Sequence, residues 1–183
     1  MFAKYDIFDY PYASKAKSSL IKAIDDYYNG IWVEGGGKRT DLFLHQKGIK
    51  ELDSMLSWIE KLLPDAVHSF SGGGSGTHRY NIKGVNTGGR GAFSPFNFKI
   101  SACWGICYGK GEFVVKHNHF PYPLSFCYYV NVPDKSSPFV LEGERIIPIE
   151  GRLILFSGHQ FHWVPVSDSE GRSAIVGNIE YAS

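Results

Sequence analysis

The sequence predicts a mainly β, α+β fold in which a jelly roll or barrel carries two N-terminal helices packed on its sheet. Three observations point there. Two amphipathic stripes at helical spacing lie before Pro64, a glycine-rich stretch follows, and beyond Phe96 short apolar segments are broken by Gly, Pro, Asn and Asp. Eight short strands separated by such turn residues fit an antiparallel jelly roll or barrel. The 183 residues contain no internal repeat or linker, so a single domain over 1–183 is expected. It divides into a helical support region (1–69), a glycine-rich loop (70–95) and a jelly-roll core (96–183).

Ser14 is placed to cap a helix from Lys15 to Tyr28, in which Leu20, Ile21, Ile24, Tyr27 and Tyr28 form one stripe and Asn29-Gly30 supplies the stop. A second helix runs from Ile49 to Leu63, with Ile49, Leu52, Met55, Leu56, Ile59, Leu62 and Leu63 on one face and Pro64 ending it. Met55 and Trp58 are read as packing residues, because an apolar stripe at helical spacing is usually core. Gly35-Gly36-Gly37-Lys38, Gly72 to Gly76 and Gly88 to Gly91 lack the strand-loop-helix frame of a phosphate cradle and read as mobile loops. The low apolar content from Phe70 to Ser94 fits a lid over a site or a disordered stretch.

The strands follow in order: Phe98 to Tyr108, Glu112 to Lys116, Ser125 to Val132, Phe139 to Leu141, Arg145 to Ile149, Arg152 to Phe156, His162 to Val166 and Ser173 to Tyr181. Nineteen basic and eighteen acidic residues leave a net charge of +1, which calls for neither nucleic acid nor an anionic membrane as partner. No segment reaches the roughly 18 consecutive apolar residues of a membrane helix, and Met1 to Asp6 lacks the layout of a signal peptide. A soluble cytoplasmic protein is expected. Cys103, Cys107 and Cys127 are odd in number and lie in apolar segments, as reduced core thiols do.

Chemistry concentrates in His117-Asn118-His119, His162 and Arg172. Period-2 alternation puts the imidazoles of His117 and His119 on one face of a strand, an arrangement that serves either packing or metal ligation. Three neutral imidazoles are common ligands of iron, zinc, copper and nickel, and a three-ligand set leaves positions open for other molecules. Arg172 offers a planar fork of five donors that suits a carboxylate. His159, three residues before His162, reads as a rim residue on a turn, and His45, His68 and His78 as surface or loop residues. Glu142 and Glu144 flank Gly143 and are the reserve carboxylates should His119 not bind a metal.

The run Cys107-Tyr108-Gly109-Lys110-Gly111-Glu112-Phe113-Val114-Val115-Lys116-His117-Asn118-His119, followed by Ser125 to Pro133, resembles the iron(II)- and 2-oxoglutarate-dependent oxygenases. The resemblance is to the prolyl-hydroxylase-like branch, and within it to a group of small oxygenases common in bacteria and phages. Glu150-Gly151-Arg152-Leu153-Ile154-Leu155-Phe156, His162-Trp163-Val164 and Arg172-Ser173-Ala174-Ile175 extend it, so that it covers roughly Trp104 to Tyr181. It implies a double-stranded β-helix. It also implies Fe(II) bound by His117, His119 and His162, with 2-oxoglutarate as cosubstrate and O2 as oxidant. The family's usual ligand two positions after the first His is acidic, and His119 departs from it. A three-histidine set carries one negative charge fewer and attracts a hard cation less strongly. The resemblance further assigns Arg172 to the distal carboxylate of 2-oxoglutarate, Tyr129 to the same carboxylate and Tyr108 to the cosubstrate.

The implied reaction is oxidative decarboxylation of 2-oxoglutarate coupled to hydroxylation of a substrate, with a peptide or protein as the class the branch suggests. Trp104, Tyr122 and Trp163 are candidates to line a substrate groove. Two other readings stay open on the sequence. One is a cupin-like metal dioxygenase without 2-oxoglutarate, which leaves Arg172 without a role; the other is a catalytically idle jelly roll used as an interaction module.

Overall fold

The computed structural model describes residues 4–32, 34–71 and 98–182. Among these residues, eleven strands and two α-helices run in the order β1 (Tyr5–Asp9), α1 (Ala13–Asp26), β2 (Tyr28–Trp32), β3 (Lys38–Thr40), α2 (Lys50–Ser71), β4 (Phe98–Tyr108), β5 (Val114–His117), β6 (Leu124–Asn131), β7 (Phe139–Leu141), β8 (Glu144–Ile146), β9 (Arg152–Ser157), β10 (His162–Val164) and β11 (Arg172–Tyr181). A short 3-10 helix, Leu44–Gln46, precedes α2. A seven-stranded sheet of order β1-β9-β6-β11-β4-β3-β2 faces a four-stranded sheet of order β5-β10-β7-β8. Every strand pairing in both is antiparallel. This is the expected jelly roll with helices packed on its sheet.

Alternation along the central strands sorts side chains into two cores. On β6, Phe126 and Tyr128 join Leu20, Ile24, Leu52, Met55, Ile59 and Leu63 of the helices, whereas Cys127 and Tyr129 turn inward to Phe139, Leu141 and Val164 of the small sheet. On β9, Leu153 and Leu155 face the helices while Ile154 and Phe156 face inward. A strand buried on both faces reads as a continuous apolar run, as Leu124–Asn131 and Arg152–Ser157 do. Burying each large helix residue contributes about 1.5–3 kcal/mol, which fixes the large sheet's back and leaves its front free to build a cavity.

All eight expected strands form, with ends shifted by up to three residues, and three more appear before them. β1 pairs with β9 at one edge. β2 and β3 extend the other edge through β4. The first helix begins at Ala13, two residues earlier than expected; Tyr12 is its N-cap without a side-chain bond, so Ser14 lies inside the helix and caps nothing. It ends at Asp26, because Tyr28 and the residues after it are drawn into pairing with β3. The second helix runs through Pro64 to Ser71. A proline there gives up one helical hydrogen bond, at a cost of about 3 kcal/mol, and burial of Leu62, Leu63 and Ala66 around it offsets that loss.

Gly35, Gly36 and Gly37 form a docked turn rather than the mobile loop expected of them. All three have positive φ, and the Phe113 backbone N–H donates to Gly35 O at 2.9 Å. A Cβ at Gly35 would lie 2.5 Å from Phe113 O, so only glycine permits this contact. The glycine-rich stretches beyond Ser71, with His78, lie outside the described residues, and of His68 only the helical backbone is described. Cys103, Cys107 and Cys127 are all free, the first and last of them buried. Among the described residues no helix is long and apolar enough to cross a membrane.

Candidate metal centre

His162 on β10 stands directly opposite His117 at the end of β5, on the small sheet. His119 follows two residues after His117, and its loop is held to the start of the next turn by its backbone N–H donating to Gly158 O at 2.7 Å. The three rings meet with centroid separations of 4.3 Å (His117–His162), 4.9 Å (His119–His162) and 5.1 Å (His117–His119). One nitrogen from each lies within 4.8 Å of the other two.

The hydrogen bonds define which nitrogens are available. His117 Nδ1 lies 2.9 Å from Val115 O and His162 Nδ1 lies 3.2 Å from Gln160 O. A carbonyl only accepts, so each Nδ1 carries a proton, which in the neutral ring leaves the lone pair on Nε2. His119 Nε2 is buried without a hydrogen-bond partner. Burial, and then the neighbouring His117, lower the His119 pKa to about 4; burial, His117 and His119 lower that of His162 to about 2. Neutral imidazoles with free lone pairs are the ligand form. The donor set therefore fits a divalent ion, at the loss of no other hydrogen bond.

On the large sheet, Arg172 opens β11 opposite Tyr108 on β4 and is 1% exposed. Its guanidinium carbon sits 5.4 Å from the Tyr108 ring centroid and 5.3 Å from that of Tyr129. Arg172 Nε and the Tyr129 hydroxyl are both buried without partners. Such buried orphans are rare and point to an unfilled requirement. Burial pushes both tyrosines above the usual phenol range, partly countered by Arg172. Both stay protonated, and the Tyr108 hydroxyl with the guanidinium fits a carboxylate.

A cavity of about 380 Å³ joins the two halves of the site, lined among others by His117, His119, His162, Tyr108 and Arg172. Tyr129 is not among its lining residues and packs its ring against the Arg172 guanidinium. Trp104, Phe139 and Phe156 give it apolar walls, while Cys127, raised to about 11 by burial, completes the floor. Of the groove candidates, Trp104 lines it; Trp163 does not, and lies under Lys116 at 5.2 Å beside Phe113 and Val166. Tyr122 is also absent from its lining. His159 is exposed, its ring 5.3 Å from that of Phe120, and His45 is half-buried on the 3-10 helix. Glu142 accepts from the Phe161 backbone N–H at 2.8 Å, and Glu144 bonds the Tyr5 hydroxyl, so neither reserve carboxylate joins the triad.

Glu34, Arg39 and Leu42 also line the cavity, and sequence reasoning passed over them. The available signal was a hairpin: Tyr28 to Trp32 and Lys38 to Thr40 flank a glycine run.

Fold and site together define a double-stranded β-helix with a histidine triad and a buried arginine facing one cavity. Solved structures share that fold. The viral collagen prolyl hydroxylase vCPH from Paramecium Bursaria Chlorella virus-1, in its 2OG complex, aligns with TM-score 0.68 and 14% identity over 98% of this chain and 96% of that one. A 2OG-Fe(II) oxygenase family oxidoreductase from Burkholderia pseudomallei aligns with TM-score 0.60 and 11% identity over 96% and 84%. A prolyl hydroxylase from Trichoplax adhaerens, in complex with a hypoxia inducible factor oxygen degradation domain peptide fragment, aligns with TM-score 0.59 and 14% identity over 96% and 83%. No family model and no curated protein matches the chain. The chain thus has the fold of the 2OG-Fe(II) oxygenases and prolyl hydroxylases that its sequence resembles.

Proposed function

We propose that the protein is an Fe(II)- and 2-oxoglutarate-dependent dioxygenase of the hydroxylase type, acting on a peptide or protein. The observation that carries the reading is Arg172, a buried cation with an unpartnered Nε, opening into the same cavity as three imidazoles. An uncompensated buried charge is costly, and a bound dicarboxylate removes that cost. A metal dioxygenase without 2-oxoglutarate, or an idle jelly roll, leaves the same cation unexplained.

His117, His119 and His162 would hold the iron, and Arg172, with the hydroxyl of Tyr108, the far carboxylate of 2-oxoglutarate, while the Tyr129 ring packs against the guanidinium. Iron and 2-oxoglutarate held there would, with O2, supply the oxidative decarboxylation of 2-oxoglutarate to succinate and CO2 and the coupled hydroxylation of a substrate C–H bond. The chain orients and shields. The carbonyls of Val115 and Gln160 fix two imidazole planes, and the rings of Trp104, Phe139 and Phe156 keep water from the walls. The peptide held by the Trichoplax enzyme supports the substrate class.

Thermal denaturation with Mn²⁺, with and without 2-oxoglutarate, tests the site, since a ligand bound only by the native state raises the apparent Tm. Additive stabilisation by both is expected, as is Fe(II)-dependent succinate formation that disappears in Arg172→Ala. No shift with either ligand overturns the assignment.

A further inference from the structure

The cavity holds a second guanidinium that the proposed cosubstrate site does not use. Arg39 on β3 pairs with Ile106 on β4, Ile106 with Ala174 on β11, and Ala174 with Tyr129 on β6. Directly opposed residues share one face of a sheet, so Arg39 belongs to the inward-facing row. With Ile106 and Ala174 it lines the cavity, and its Nε is buried without a hydrogen-bond partner. Among the described residues it takes part in no ion pair. Glu34, which also lines the cavity, stands on the exposed turn before β3, where solvent screens it.

Arg172 and Arg39 lie on strands separated by β4, so their backbones are about 10 Å apart across the sheet. Arg172 already stands against Tyr108 and Tyr129, and a carboxylate bound there leaves Arg39, a half-buried residue, with its Nε still without a partner. Ile106, the strand partner of Arg39, lines the cavity with the apolar Leu42, Trp104 and Val176, and Asn178 adds one amide to the lining. A fork of charged donors set among apolar side chains recognises a carboxylate attached to an apolar body.

We propose that Arg39 binds a carboxylate of the substrate. The substrate is then an acid with an apolar portion beside the charge, delivered by a small carboxylic acid or by an acidic side chain of a peptide. This deepens the oxygenase reading of the cavity and rests on it for the word substrate; the binding itself is testable separately.

Binding is measured by calorimetry on the full chain loaded with Mn²⁺ and 2-oxoglutarate, and in parallel on the unloaded chain. The probes are phenylacetate against phenylacetamide, and acetyl-Leu-Glu-Leu-amide against its Gln counterpart. In at least one pair the charged member is expected to bind about ten- to hundredfold more tightly, the value of a hydrogen-bonded charge. That pair identifies the source of the carboxylate.

Arg39→Gln is expected to abolish the preference and to leave the Mn²⁺ and 2-oxoglutarate responses at wild-type size. Arg39→Lys, which keeps the charge and the fold but loses the fork, is expected to retain only part of it. Equal binding within both pairs, full preference in either Arg39 variant, or a preference lost in Arg172→Gln and kept in Arg39→Gln overturns the proposal. Absence of any Mn²⁺ or 2-oxoglutarate response in the wild type overturns the oxygenase reading instead, and the unloaded arm still decides for or against Arg39.

Discussion

In the ligand set proposed for the metal, an imidazole at position 119 in place of a carboxylate means one negative charge fewer, and the consequence is measurable one residue at a time. His119→Asp is expected to bind Mn²⁺ more tightly than the wild type and to show the larger thermal shift, because a carboxylate attracts a hard cation more strongly. His119→Ala is expected to lose most of the shift. Unchanged Mn²⁺ stabilisation in both would show that residue 119 does not touch the ion. His117, His119 and His162 were legible from two local facts, period-2 spacing and the order of the motif. The state of Arg172 was not: nothing in one strand's sequence tells that the residue is buried, with its guanidinium near two tyrosine rings.

At the level of elements, the turn after β9 positions the ligand loop. A Cβ at Gly158 would lie 2.2 Å from Tyr122 O, a backbone atom in the loop that also carries His119, while Gly158 O accepts the His119 N–H. Gly158→Ala is therefore expected to destabilise the protein by about 1–3 kcal/mol, the usual cost of overpacking, and to weaken Mn²⁺ binding by moving His119. Retention of the wild-type Mn²⁺ response in a destabilised variant would remove the positional half of this argument. The helices behave oppositely. Met55 is fully buried in the core behind the large sheet; Met55→Ala is expected to cost about 2–5 kcal/mol while leaving Mn²⁺ binding unchanged, as read from denaturant titrations with and without the ion. Both helical stripes were plain in the sequence because 3.6-residue periodicity is local. Their ends were not, since α1 yields to the pairing of β2 with β3 and α2 continues through Pro64 on the strength of tertiary burial.

Across the whole molecule, burial raises the pKa of Cys103, Cys127, Tyr108, Tyr128 and Tyr129, Cys127 to about 11. In the unfolded chain such thiols and phenols ionise near pH 8.5 and 10. The native state then holds more protons than the unfolded one, so stability is fully present below those values and is lost as pH rises through about 9 to 11. Denaturant midpoints at pH 7, 9 and 10.5 are expected to fall in that order, and a flat series would show that these groups ionise in the native protein. The sequence by itself determined the jelly-roll class, both helices, eight strands and the histidine-arginine constellation, because each rests on periodicity or on a motif within one short segment. Tertiary structure alone decided the rest. It added β1, β2 and β3 to the large sheet, sorted each central strand into a helix-facing and a cavity-facing half, and brought Arg39 into the cavity of Arg172 and the three imidazoles. Apart from the β2-β3 hairpin, which left a local trace, those outcomes depend on which distant strand supplies the missing hydrogen bonds, as β9 does for β1 and β4 for β3, a partnership that no local pattern of residues encodes.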